Sequence, residues 1–345
     1  MCGSYGIVSS RKSWLNTYST LRIQNYNDHR AGEVAGVGDG AGMTIDLPVE
    51  KIRARAAKES IQLGDGFASG IILLDPGQEE AGRALVERKL REAGITGKIH
   101  WIDPNLQLEK DGKPILQEKS VIEMGRPMQI VVERPADLAN TKDFEYALYD
   151  AATEVAQAQL RAQKDGEVLP RVRVMSLSSL SQTFKGPMRP SQIPLVFKDL
   201  AEGLSFAELE ALYNAGDFEA LERLIPGTKS SLAHSRYSTG APSTAEGAHP
   251  HGVGSISDDD HNGELNTAPA NAREAEAIGR RKGRERLFPT RLPDSALFGF
   301  DMSEAIRYDG MELAEAFVRG LQPAGWDTDP RYSPEVRDML RVMNL

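Results

Sequence analysis

Met1-Cys2-Gly3-Ser4-Tyr5-Gly6-Ile7-Val8-Ser9 opens the chain, and position 2 holds its single cysteine. On residue type alone, a free cysteine is most often a small buried hydrophobe. Position 2 changes that reading, because removal of Met1 leaves one residue carrying both a thiol and a free α-amine, a nucleophile with its own base. An α-amine has a reference pKa of about 7.7 to 8.0, so a useful fraction is neutral near neutral pH and can take the thiol proton. The thiolate then attacks a carboxamide carbon, a thioester forms as ammonia leaves, and water releases the acid. Residues 3–9 read as a short strand following directly on this cysteine, and one cysteine forms no internal disulfide.

Moving outward, residues 14–25 place Leu15, Tyr18, Leu21 and Ile23 at helix-like spacing. A glycine-rich loop at 36–42 leads into Met43-Thr44-Ile45-Asp46-Leu47, whose alternation predicts a strand ended by Pro48. Helical patterns at 49–62, 78–93 and 144–162 alternate with apolar runs at 68–74, 98–101, 128–132 and 171–175. The loop-like stretches at 103–114 and 163–170 are too short to part independent domains, so the whole chain, 1–345, reads as one domain. Between 242 and 271 Gly, Ser, Asp, Asn, His and Pro crowd together, a composition of connecting loops, where function often resides. Residues 311–321 and 333–343 read as amphipathic helices.

Composition narrows the classes of function. Hydrophobic residues at 40% and charged residues at 26% are the proportions of a globular protein able to bury a core. A net charge of −9 argues against nucleic acid and anionic membranes as partners and favours small-molecule chemistry. The runs at 68–74 and 128–132 fall far short of the roughly 20 apolar residues that a bilayer requires. With no targeting segment at its start, the chain is expected in the cytoplasm.

Two further segments suit the chemistry of Cys2. His234-Ser235-Arg236-Tyr237-Ser238-Thr239 offers an arginine whose planar fork can hold an amino-acid carboxylate. His261-Asn262-Gly263-Glu264 offers a side-chain amide and an unobstructed backbone N–H, together able to hold a developing oxyanion. Taken singly, Arg236 reads as a surface ion pair and Asn262-Gly263 as a tight turn.

The order of motifs reverses that reading. Cys2-Gly3, His29-Arg30, Gly38-Asp39-Gly40-Ala41-Gly42, His234 to Thr239 and His261-Asn262-Gly263-Glu264-Leu265-Asn266-Thr267 follow one another as in the amidotransferase domain of glutamate synthase, which the chain resembles. Ser176-Leu177-Ser178-Ser179, Phe184-Lys185-Gly186-Pro187-Met188 and Phe197-Lys198-Asp199-Leu200 fall between them in the same order, so the resemblance to these N-terminal-nucleophile (class II) amidotransferases covers nearly the whole chain. It implies an α+β fold, a four-layer αββα sandwich. It also implies Cys2 as nucleophile, Asn262 and Gly263 as oxyanion hole, Arg236 on the glutamine carboxylate with Thr239 close by, Asp294 on the α-ammonium, and Arg30 supporting the site. Two departures are visible. Ala31-Gly32 follows Arg30 where the family places glycine first, and Ser238-Thr239-Gly240-Ala241-Pro242-Ser243 lacks the family's Asn after Ser-Thr and its tryptophan after Pro-Ser.

Competing signals are weaker. Gly36-Val37-Gly38-Asp39-Gly40-Ala41 fits a relaxed dinucleotide fingerprint but leads into a strand rather than a helix. His249, His251 and Asp258 to His261 lack a recognised ligand spacing, so no metal is expected and the carboxylates read as solvated loop residues. The basic run 280–286 reads as solvated surface, with docking onto an acidic partner subunit as its functional alternative. The expected activity is hydrolysis of L-glutamine, with ammonia passed to a separate FMN-dependent glutamate synthase subunit. No cofactor is expected in this chain, flavin and iron–sulfur cluster belonging to that partner. The alternatives are an amidotransferase subunit for another acceptor, such as N-methylglutamate synthesis, and a non-catalytic glutamine-binding subunit.

Overall fold

The expected first strand runs as β1 over Gly3–Ser13, its outward positions ending at a fully exposed Val8 and the charged pair Arg11-Lys12. The computed structural model describes residues 2–238, 243–251, 268–281, 283, 286–287, 293–321 and 331–337. After β1 come α1 (Trp14–Tyr26), the short pair β2 (Glu33–Val34) and β3 (Val37–Gly38), β4 (Ala41–Asp46), α2 (Val49–Lys58), β5 (Phe67–Leu74) and α3 (Glu79–Glu92). Next are β6 (Ile99–Ile102), β7 (Glu109–Lys110), β8 (Lys113–Pro114), α4 (Glu118–Met124), β9 (Arg126–Glu133), α5 (Thr141–Asp165), β10 (Val172–Val174) and β11 (Ser181–Gly186). Short helices α6 (Ile193–Val196), α7 (Lys198–Ala201), α8 (Phe206–Asn214) and α9 (Phe218–Leu224) precede β12 (Thr228–Ser235), and α10 (Ala268–Arg281), α11 (Asp294–Asp309) and α12 (Leu313–Leu321) follow.

The main strands form two antiparallel sheets, ordered β1-β12-β4-β11 and β10-β5-β9-β6. One apolar core joins them: Met43, Ile45, Phe184 and Ala233 of the first sheet pack with Ile71 and Leu73 of the second. The alternate residues of β5, Ala68, Ile72 and Leu74, face α3 and α5 through Leu85, Val86, Leu90, Phe144 and Leu148. Because β5 is buried on both faces, it reads in sequence as an unbroken apolar run. Helix α1 lies against β12, where the Thr20 and Ser231 hydroxyls bond at 2.6 Å and the Gln24 side chain donates to the carbonyls of Gly42 and His234. Its buried face is therefore Thr17, Tyr18, Thr20, Leu21 and Gln24, and the expected core residues Leu15 and Ile23 are each 43% exposed.

Two other expectations are corrected, and two strands stand where none was expected. The glycine-rich stretch 36–42 is not a loop throughout, since β3 and the start of β4 fall within it and no helix follows. Strands β11 and β12 were not visible as apolar alternation because their buried positions are largely Gln, Thr, Ser and His. The basic run does not lie wholly in solvent: Arg286 is buried, bonding Glu154 at 2.5 Å, Glu304 at 3.2 Å and the Tyr308 hydroxyl at 2.7 Å, while the adjacent Arg307 pairs with Asp150. This network fastens α11 to α5. Removing a buried ion's partner is expensive, so Arg286→Ala, leaving Glu304 without its guanidinium, is expected to destabilise the protein by about 3–5 kcal/mol in urea unfolding; an unchanged midpoint would refute the clamp.

Candidate active site

Strand pairing decides what stands next to Cys2. β1 and β12 run antiparallel with Gly3 opposite Ser235, so the residues one step beyond, Cys2 and Arg236, emerge side by side at the end of the sheet. There the Tyr237 amide donates to Cys2 Sγ at 3.2 Å, and Sγ lies 3.6 Å from the Tyr237 carbonyl oxygen. β12 pairs in turn with β4, Ser235 opposite Ala41, and the ladder continues as the Arg236 amide donates to the Gly40 carbonyl at 2.9 Å. On its other side the Arg236 carbonyl accepts from the Gly32 amide at 2.9 Å.

The Arg236 side chain is buried and held in place. Nη1 donates to the Asp39 main-chain oxygen at 3.0 Å and Nη2 to the Ser238 hydroxyl at 3.3 Å. Burial pushes its pKa down, while the neighbouring Asp39, Cys2 and Asp294 push it back up, so these three groups share its electrostatic surroundings. An arginine stays protonated under such opposing influences. Asp294 opens α11, where the helix N-terminus favours a carboxylate.

Asp39 was passed over in the sequence as part of a glycine motif. Its carboxylate is buried and accepts from the Ser238 amide at 2.7 Å and from the Ser243 hydroxyl at 2.8 Å. The glycines around it recur with period two, and each lies under other chain. A Cβ on Gly38 would fall 2.4 Å from the Met188 carbonyl carbon, and one on Gly42 would fall 2.1 Å from the His249 oxygen. Such spacing in a strand signals close backbone approach, and it was the available clue to this arrangement. The segment 243–251 crosses here, with Ala245 and Ala248 buried and Glu246 paired with Arg171 at 3.0 Å.

The structure thus places Cys2 beside Arg236, with Asp294 contributing to the electrostatic surroundings of the arginine. Arg30 sits on a single 3-10 turn (Asp28–Arg30) two residues before Gly32, and its guanidinium makes no hydrogen bond or ion pair among the described residues. Thr239, Asn262 and Gly263 lie outside the described residues. His249 and His251 are buried, the His249 ring lying tilted between those of His234 and His251 with centroids 4.1 and 4.2 Å away, and among the described residues no His, Cys, Asp or Glu group is arranged to hold a metal ion. Asp258 to His261 lie outside the described residues. No described helix is long and apolar enough to cross a membrane.

Gly40 has φ at +142°, and a Cβ added there would lie 3.1 Å from that of Ala248. Gly40→Ala is expected to lower stability by about 1–3 kcal/mol, read by thermal unfolding, through backbone strain of the kind L side chains rarely adopt.

Comparison with known proteins gives the family of the chain. The family model for class II glutamine amidotransferases matches residues 7–215, more than half the chain, covering β4 and stopping short of Cys2 and Arg236. A glutamate synthase [NADPH] large chain from Bacillus subtilis (strain 168) is 24% identical over 318 residues, which make up 88% of this chain and 17% of that protein. The chain therefore spans about a sixth of the length of this relative. It belongs to the class II glutamine amidotransferases.

Proposed function

We propose that this chain hydrolyses L-glutamine at Cys2 and delivers the ammonia to a separate, FMN-dependent glutamate synthase. One observation carries the reading: the second residue of the chain and residues 236–237, more than two hundred positions away, meet at the Cys2 sulfur beside a buried arginine. The relative's name, a glutamate synthase large chain, favours synthesis of glutamate as the fate of the ammonia. We read the fold as the four-layer αββα sandwich of N-terminal-nucleophile hydrolases; the core shared by the two sheets, with α1 outside the first and α3 and α5 outside the second, supports it.

In the proposed reaction Met1 has been removed and the Cys2 α-amine takes the thiol proton. The sulfur adds to the glutamine side-chain carbonyl carbon, and Asn262 and Gly263 hold the oxyanion. The C–N bond breaks as the ammonium returns its proton to the leaving nitrogen, giving ammonia and a thioester. Water then adds to the thioester, its proton passing to the amine, and glutamate leaves as the thiol re-forms. Arg236, with Thr239 nearby, holds the substrate carboxylate, Asp294 its α-ammonium, and Arg30 supports the loop entering the site. No cofactor takes part in this half-reaction.

Intact mass should show loss of Met1, and ammonia release from glutamine should fall by at least about a thousandfold in Cys2→Ala, the nucleophile being irreplaceable. Undiminished release in that variant would sink the proposal. Arg236→Lys, keeping the charge without the fork, is expected to raise KM for glutamine by about tenfold to a hundredfold, the weight of charge-assisted hydrogen bonds. A glutamine-binding subunit without turnover would instead bind glutamine and release no ammonia.

A further inference from the structure

We propose that Asp39 is the positioning residue of this site, a neutralisable tether that holds Arg236 and the Tyr237 amide against Cys2; the inference rests on the function proposed above. Four hydrogen bonds converge on this one buried residue. Its two carboxylate oxygens accept from the Ser238 amide at 2.7 Å and the Ser243 hydroxyl at 2.8 Å. Its main-chain oxygen accepts from Arg236 Nη1 at 3.0 Å, and its amide donates to the Gly32 carbonyl at 2.9 Å. Gly32 leaves the carboxylate room, since a Cβ there would lie 2.0 Å from Asp39 Oδ2.

These bonds decide the freedom of Tyr237. Arg236 before it is fixed at its amide, its carbonyl and its guanidinium, and Ser238 after it is fixed at its amide. The residue between them has its N–H aimed at the sulfur, where a donor favours the thiolate. Both oxygens of Asp39 are engaged by Ser238 and Ser243, so its influence on the reaction passes through Tyr237 and Arg236. What the position needs is two hydrogen-bonding atoms in one plane, and an amide supplies them. In Asp39→Asn the side-chain oxygen still accepts from the Ser238 amide, and the new NH2 donates to the Ser243 oxygen, a hydroxyl serving in either role.

The test compares Asp39→Ala, Asp39→Asn and Ser243→Ala in the full chain with Met1 removed. Glutaminase KM and kcat are measured alongside hydrogen exchange at the Ser238 amide. Asp39→Ala is expected to raise KM about tenfold and speed Ser238 exchange at least as much, the weight of a lost buried hydrogen bond pair. Ser243→Ala should raise KM about threefold with kcat within about twofold of wild type, and Asp39→Asn should stay within about twofold in both. Wild-type KM and exchange in Asp39→Ala and Ser243→Ala would overturn the tether. So would Asp39→Asn as damaging as Asp39→Ala, since charge rather than hydrogen bonding would then be the operative property. If Asp39→Ala does not fold, Ser243→Ala decides alone. A wild-type chain lacking cysteine-dependent ammonia release overturns the functional reading only; Ser238 exchange, slow in wild type and faster in Ser243→Ala, still decides the tether.

Discussion

The register of one strand pair governs the site. Side chains alternate along a strand, so a slip of one residue between β1 and β12 would turn every inward group outward. With Gly3 opposite Ser235, Cys2 and Arg236 leave the sheet at the same end and Tyr237 crosses the sulfur. The third strand extends the logic, because β4 places Ala41 opposite Ser235 and carries the turn with Asp39 and Gly40 beneath the arginine. Helix α1 locks this register from outside: Gln24 donates to carbonyls of both β4 and β12.

The first sheet is unusual in how much polar surface it buries. The Thr44 and Thr183 hydroxyls meet at 2.9 Å between β4 and β11, and the buried Thr20 and Ser231 hydroxyls bond where α1 meets β12. Buried polar groups of this kind are tolerable when satisfied, and they specify one arrangement more sharply than apolar packing does. At Arg236 the same low-dielectric setting opposes the charge while Asp39, Cys2 and Asp294 sustain it. A guanidinium held rigidly in such surroundings is suited to a carboxylate ligand.

Much of this was legible in the sequence, and the remainder was hidden for identifiable reasons. The position of Cys2 singled it out for scrutiny, and β5 and β9 were readable from mostly apolar runs interrupted only by small or single polar residues such as Ser69 and Gln129. By contrast, β12 buries Ser231, His234 and Ser235, so it offers no apolar period despite carrying Arg236 at its end. Helix α11, which presents Asp294, escaped notice because Ser295, Asp301, Ser303 and Glu304 are buried among its apolar residues and blur the helical pattern. Arg286 was misread as surface because charge alone does not reveal whether Glu154 and Glu304 wait in the interior. Asp39 was readable only through its neighbours: glycines at every second position mark a segment that other backbone approaches closely.

Among the described residues β1 occupies the rim of its sheet, paired with β12 alone, and Cys2 precedes its first residue. Exchange of this strand between two copies of the chain would therefore move the Cys2 thiol along with it, each copy borrowing its sulfur from the other. The irregularity between Val8 and Ser13 and the exposed Arg11-Lys12 pair blunt that rim in the manner of edge strands that resist foreign pairing. The same features that discourage foreign pairing at this rim thus favour each copy keeping its own Cys2 thiol.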